Sequence, residues 1–116
     1  MKKTKMLKKN YEFKKVLSKG KYYSGKNIEA FVKDNNKKCN FLGLAISVKT
    51  AKAVKRNNIK RLLRENYKIL ESEIKPGKSI VFLWKKGVAV ENATFENIKN
   101  DMNVIFDKAN IKNKEI

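Results

Sequence analysis

The chain has 116 residues and a mass of 13.5 kDa, enough for one domain that buries about two-thirds of its unfolded surface. Lys and Arg total 29 against 11 Asp and Glu, a formal net charge of +18 that opposes compaction unless a polyanion such as nucleic acid screens it. The absence of histidine excludes zinc fingers, zinc deaminases and Ser-His-Asp triads, and the single cysteine, Cys39, excludes an intramolecular disulfide.

Residues 1–9 carry five lysines with only Met6 and Leu7 apolar after the start. Such a segment is expected to be disordered, or to order on a phosphate backbone. Phe13, Val16 and Leu17 then fall at i, i+3, i+4, which predicts a first helix over residues 10–18. Gly20 stands where a helix C-terminus favours positive φ. Residues 22–32 read as one strand, with Ile28, Ala30 and Val32 in one phase and Asn27, Glu29 and Phe31 in the other. A polar turn at 34–38 leads to a second strand at 40–47, and the two strands are expected to pair as an antiparallel hairpin. The second is apolar on both faces, which places it inside the sheet.

Residues 56–73 form the clearest helical pattern, with Ile59, Leu62, Leu63, Ile69 and Leu70 on one face. Asn57, Lys60, Arg61, Arg64 and Lys68 occupy the other, and Val54 fits neither, which puts the helix start near Arg56. Pro76-Gly77 breaks the chain. Residues 79–86 read as a buried strand containing Trp84, and residues 94–109 as a last helix. Thr94 is its N-cap, Glu96 complements its dipole, and Phe95, Ile98, Met102, Ile105 and Phe106 turn inward. The expected fold is α+β, a single-domain α-β-β-α-β-α sandwich over 1–116 with a basic segment at 1–9 and a fraying polar tail at 110–116.

Phosphodiester cleavage by protein groups calls for clustered carboxylates around Mg²⁺, or for a nucleophile beside a base. The acids are scattered, and Glu71 and Glu73, two apart on a helix, do not face each other. No catalytic and no metal-ligating side chain is therefore expected. No apolar run is long enough to cross a bilayer, and none follows the basic N-terminus as a signal peptide requires, so a cytoplasmic protein without a membrane partner is expected.

Five basic residues lie between Lys55 and Arg64, including like charges at i, i+4 (Arg56, Lys60, Arg64). A merely solvated helix face mixes signs, because such pairs repel. A phosphate-binding face is the better reading. A small basic ribosomal protein, or another structural RNA-binding protein, explains the charge equally well. A helix-turn-helix DNA binder fits poorly, since a strand rather than a short helix precedes the basic segment.

The run Ala53-Val54-Lys55-Arg56-Asn57-Asn58-Ile59-Lys60-Arg61-Leu62-Leu63-Arg64 resembles the signature of the bacterial ribonuclease P protein subunit, Ala-Val-x-Arg-Asn-Arg-x-Lys-Arg-x-x-Arg. It departs at Asn58, where that family carries a second Arg. Leu7-Lys8-Lys9-Asn10 with Phe13, Val16 and Gly20, and Leu42-Gly43-Leu44-Ala45-Ile46-Ser47 with Lys49, are similar to further family segments, so the resemblance spans nearly the whole chain. It implies a ribosomal-protein-like fold with a left-handed βαβ crossover around the basic helix. It also implies a protein cofactor of a catalytic RNA that removes the 5′ leader of precursor tRNA with Mg²⁺, bound mainly by the RNA partner.

On that resemblance, Lys49, Lys52, Arg56, Asn57, Lys60, Arg61, Arg64 and Lys68 are expected to meet the catalytic RNA, whose phosphates Lys and Arg bind without reading bases. The single-stranded leader implies a stacking platform, with Phe13, Leu17 and Phe31 at the matching positions. Phe31 is out of phase with Ile28, Ala30 and Val32, so it should leave the helix-packed face. Phe13, at helical spacing with Val16 and Leu17, is equally well placed for the core. Tyr22 and Tyr23 are available to extend the platform or to cap the sheet, and Trp84 is expected in the core.

Overall fold

In chain order the elements are β1 (Thr4–Met6), α1 (Asn10–Lys19), β2 (Lys21–Ser24), β3 (Ile28–Asp34), β4 (Asn40–Leu44), α2 (Ala53–Leu70), β5 (Lys78–Trp84) and α3 (Phe95–Lys108), in a computed structural model that describes residues 3–113. Short 3₁₀ turns at Glu71–Glu73 and Val90–Asn92 close α2 and precede α3. The five strands form one sheet in the order β1-β4-β5-β3-β2. β1 and β5 flank β4 in parallel, while β3 lies antiparallel to both β5 and β2. The result is a mixed α+β fold, a sheet with helices on both faces.

Strand alternation sorts the apolar residues between those faces. Ile28, Ala30, Val32, Leu42, Ile80, Phe82 and Trp84 point to one side, where they pack with Ile59, Leu62, Leu63 and Tyr67 of α2 and Ile98, Met102, Ile105 and Phe106 of α3. Full burial of each Val, Leu, Ile, Met or Phe among them contributes about 1.5–3 kcal/mol. The opposite phase is smaller: Val81 with Leu7 and Val16, ringed by half-buried Phe13, Leu17, Phe31, Phe41, Ala45 and Leu83. α1 covers only part of this second face.

Several expectations are corrected. The basic N-terminal segment is ordered from β1 onward, because main-chain pairing with β4 (Leu7 N to Leu42 O, 2.8 Å; Asn40 N to Lys3 O, 2.9 Å) and burial of Thr4 and Leu7 outweigh its charge. Residues 1–2 lie outside the described residues. The single strand expected at 22–32 is two, β2 and β3, folded at a turn where Gly25 N donates to Ile28 O. β3 and β4 form no hairpin. β5 inserts between them, parallel to one and antiparallel to the other, which places β4 inside the sheet as its apolar faces required. The observed order is therefore β-α-β-β-β-α-β-α.

At Gly20 φ is −76°, so no left-handed cap exists; glycine is needed because a Cβ would sit 2.6 Å from the Val16 carbonyl oxygen. α2 begins at Ala53 rather than Arg56, its first turn closed by Arg56 N to Lys52 O, with Val54 82% exposed. Ile69 lies at the edge of the apolar stripe and is 56% exposed, not core. Phe95, the first residue of α3, also stays outside the core, whereas Thr94 caps as expected, its Oγ1 accepting from Asn97 N at 3.1 Å. The tail is tied down as far as 113: Ile111 is buried, Lys75 N donates to Ile111 O, and Asn113 N donates to Glu73 O. Residues 114–116 lie outside the described residues.

Candidate nucleic-acid interface

α2 is amphipathic, and its polar side carries the basic motif. At about 100° per residue, Arg56, Lys60 and Arg64 run along one flank and Asn57, Arg61 and Lys68 along the crest. The flank residues are half-buried and the crest residues exposed. All six therefore share one side of one helix, and Lys49 and Lys52 are exposed in the loop that leads into it. The first turn of α2 holds no acidic side chain, and Lys52 at the N-cap makes no capping bond. Free main-chain N–H groups and the positive end of the helix dipole thus add to the side-chain charge.

The basic side chains are not equivalent. Arg56 Nη1 donates to Ala51 O at 2.6 Å, which ties the preceding loop to the helix. Arg61 is held along the helix: Nη2 donates to Asn58 Oδ1 and Nη1 to Glu65 Oε1, both at 2.8 Å. Asn58 thus occupies part of the neighbouring guanidinium. Lys60 and Arg64 make no salt bridge among the described residues, which leaves their charge for an outside partner.

The aromatic set lies on the opposite face of the sheet. Phe13 and Leu17 occupy one flank of α1 and, with Phe31, form part of the half-buried apolar ring around Val16 and Val81. Phe31 leaves the face packed by α2 and α3, as its phase required. Tyr22, on the edge strand, lies beside Phe31, the two ring centres 5.3 Å apart. Its hydroxyl donates to the Glu29 carboxylate, and that bond raises its pKa above the ordinary value. Tyr23 turns to the other face and packs against the main core, as does buried Trp84, whose Nε1 donates to Val88 O.

Sequence reading missed Phe41, Ala45 and Leu83 in this ring. The signal was present in the phase of β4 and β5, but runs apolar on both faces hide which phase meets an open surface. On the other flank of α1 a hollow of about 230 Å³ is lined by Tyr11, Lys15, Lys33, Lys37 and Phe41, among others. Lys37 Nζ lies 5.2 Å from the centre of the Phe41 ring. Rings and ammonium groups are thus interleaved, an arrangement that stacks bases and neutralises phosphates. Glu12, at the base of α1, accepts from Lys9 N at 2.9 Å and Lys8 N at 3.3 Å, and these bonds lower its pKa.

Among the described residues no three Cys, Asp or Glu side chains converge as a metal site, and no helix is long and apolar enough to cross a membrane.

A family model for Ribonuclease P matches residues 1–110. The chain is 40% identical over 102 residues to the Ribonuclease P protein component of a Thermoanaerobacter species, covering 88% of this chain and 86% of that one. It is 33% identical to the Ribonuclease P protein component of Clostridioides difficile, covering 93% and 94%. The fold superposes on the solved RNase P protein of Staphylococcus aureus with a TM-score of 0.81 at 28% identity, over 93% of this chain and 97% of that one. Matched by the family model over nearly its whole length, and sharing sequence and fold with such proteins, the chain belongs to the bacterial ribonuclease P protein family.

Proposed function

We propose that this subunit of the endoribonuclease holds two RNAs at once: the catalytic RNA through the basic side of α2 and its leading loop, and the 5′ leader of precursor tRNA through the aromatic face beside α1. The observation that carries this reading is the placement of the two surfaces on opposite faces of one sheet. A duplex-rich RNA presents phosphates, which Lys49, Lys52, Arg56, Lys60, Arg61, Arg64 and Lys68 meet as charges, with Asn57 as a neutral donor and acceptor. A single strand has no groove to read and is held by stacking on Phe31 and Phe13, with Leu17 as an apolar wall. The chemistry stays with the RNA. Mg²⁺ is held mainly there, and the protein groups neutralise, orient and retain the substrate. A purely structural ribosomal role accounts for the charge but not for the family match over residues 1–110.

Purified protein, RNA subunit and precursor tRNA, mixed in every combination across a Mg²⁺ series, test the reading. The protein alone is expected to give no cleavage at the mature 5′ end, and its addition to the RNA subunit is expected to lower the Mg²⁺ needed. Specific cleavage by the protein alone overturns the division of labour.

A further inference from the structure

A second positive cleft, of about 620 Å³, lies where β2 turns into β3. A stripe of α3 running from Asn97 to Lys108 faces the 24–27 turn across it, with Lys85 at its rim. Lys85 Nζ donates to Ser24 Oγ at 2.9 Å and to Gly25 O at 3.2 Å, and Lys108 Nζ donates to Ser24 O at 3.2 Å. Two ammonium groups thus gather on one serine, with exposed Lys26 two residues further along the turn. Neither is ion-paired among the described residues. The acid in the cleft, Asp101, is buried and turned to the main chain, its Oδ2 accepting from Asn27 N at 2.7 Å and Ile28 N at 3.2 Å.

Cations gathered on neutral acceptors repel one another, and an anion seated between them converts that repulsion into charge-assisted hydrogen bonds. Lys85 also borders a neighbouring hollow with Ser47, Lys49 and Lys86, at the carboxyl ends of β4 and β5. That hollow leads through the 45–52 loop into α2, so the positive surface continues from α2 to α3. We infer that Lys26, Lys85 and Lys108 form a phosphate-binding subsite for an RNA backbone, carrying the basic surface of α2 around the end of the sheet. The inference rests on the reading of α2 as an RNA-binding face.

The test uses the full chain with Lys26→Gln and Lys108→Gln together. Both residues are exposed, and Lys85, whose bonds hold the turn, is spared. The variant is titrated with the RNA subunit alone, and its holoenzyme with precursor tRNA, between about 50 and 200 mM salt. For each phosphate that the variant no longer neutralises, the slope of log affinity against log salt is expected to shrink by about 0.7–0.9. A smaller slope with the RNA subunit assigns the phosphate to that partner, and one seen only with precursor tRNA assigns it to the substrate. Unchanged slopes in both titrations overturn the subsite. Lys60→Gln with Arg64→Gln separates the failures: if this pair reduces the slope and the cleft pair does not, the cleft alone fails. If neither pair does, the reading of α2 fails with it. Lys26→Gln alone supplies the same readout should the double variant unfold.

Discussion

The Phe13 ring rests directly on Gly43: a Cβ on that glycine would lie 2.5 Å from Phe13 Cε1 and 3.0 Å from Leu7 Cδ1. This contact sets the height of α1 above β4, and with it the position of the Phe13 ring in the half-buried set that also holds Leu17 and Phe31. Gly43→Ala is expected to destabilise the fold by about 1–3 kcal/mol, as overpacking does in a filled site. It should also weaken precursor binding more than binding of leaderless tRNA. Urea denaturation with paired affinity measurements checks both effects, and unchanged stability would show that α1 lifts freely.

Phe31 is half-buried and flanked by Tyr22, so truncation removes a platform without opening the main core. Phe31→Ala is expected to reduce affinity for precursor tRNA by about 1–3 kcal/mol, the worth of one stacked base, and to leave leaderless tRNA nearly unaffected. Equal losses for both substrates would move Phe31 out of the leader site.

Glu65 occupies Arg61 and places a negative charge on the basic crest. The pair is exposed, so its own strength is at most about 1 kcal/mol. Glu65→Gln is expected to tighten binding of the RNA subunit roughly two- to fivefold at low salt, with the gain shrinking as salt rises. Weaker binding would show that the Arg61–Glu65 pair itself positions the guanidinium for RNA.

Tyr67 has no exposed surface, and its hydroxyl shares a 2.7 Å hydrogen bond with Thr4 Oγ1, pinning β1 to α2. Burial pushes its pKa up to about 12, against about 10 in an unfolded chain. The folded state therefore keeps the proton that the unfolded chain releases. The associated stability is intact below about pH 10 and is lost as pH rises toward about 12, approaching 2–3 kcal/mol. Tyr67→Phe should start about 1 kcal/mol less stable and decline less steeply across that window, as read by denaturation at several pH values. Parallel curves for the two proteins would contradict the assignment.

Three helices and the basic motif were legible because they are local patterns. Helical periodicity, the Thr94 cap and the spacing from Arg56 to Arg64 each depend on neighbours a few residues apart. The phase of Phe31 was legible for the same reason. Strand partnership was not: β5 enters between β3 and β4 from more than thirty residues downstream of β4, and only long-range pairing selects it. The basic N-terminal segment misled because its charge is local, whereas the β4 edge that orders it and the Tyr67 hydroxyl that fastens it are distant in the chain.

Sequence by itself determined that the chain is a cationic α+β protein with a helix basic along one side, since charge and periodicity are properties of adjacent residues. Tertiary structure alone decided that this helix and the half-buried aromatic set occupy opposite faces of one sheet. That choice follows from strand order and from the side on which each helix docks, and both are set by contacts between residues far apart along the chain.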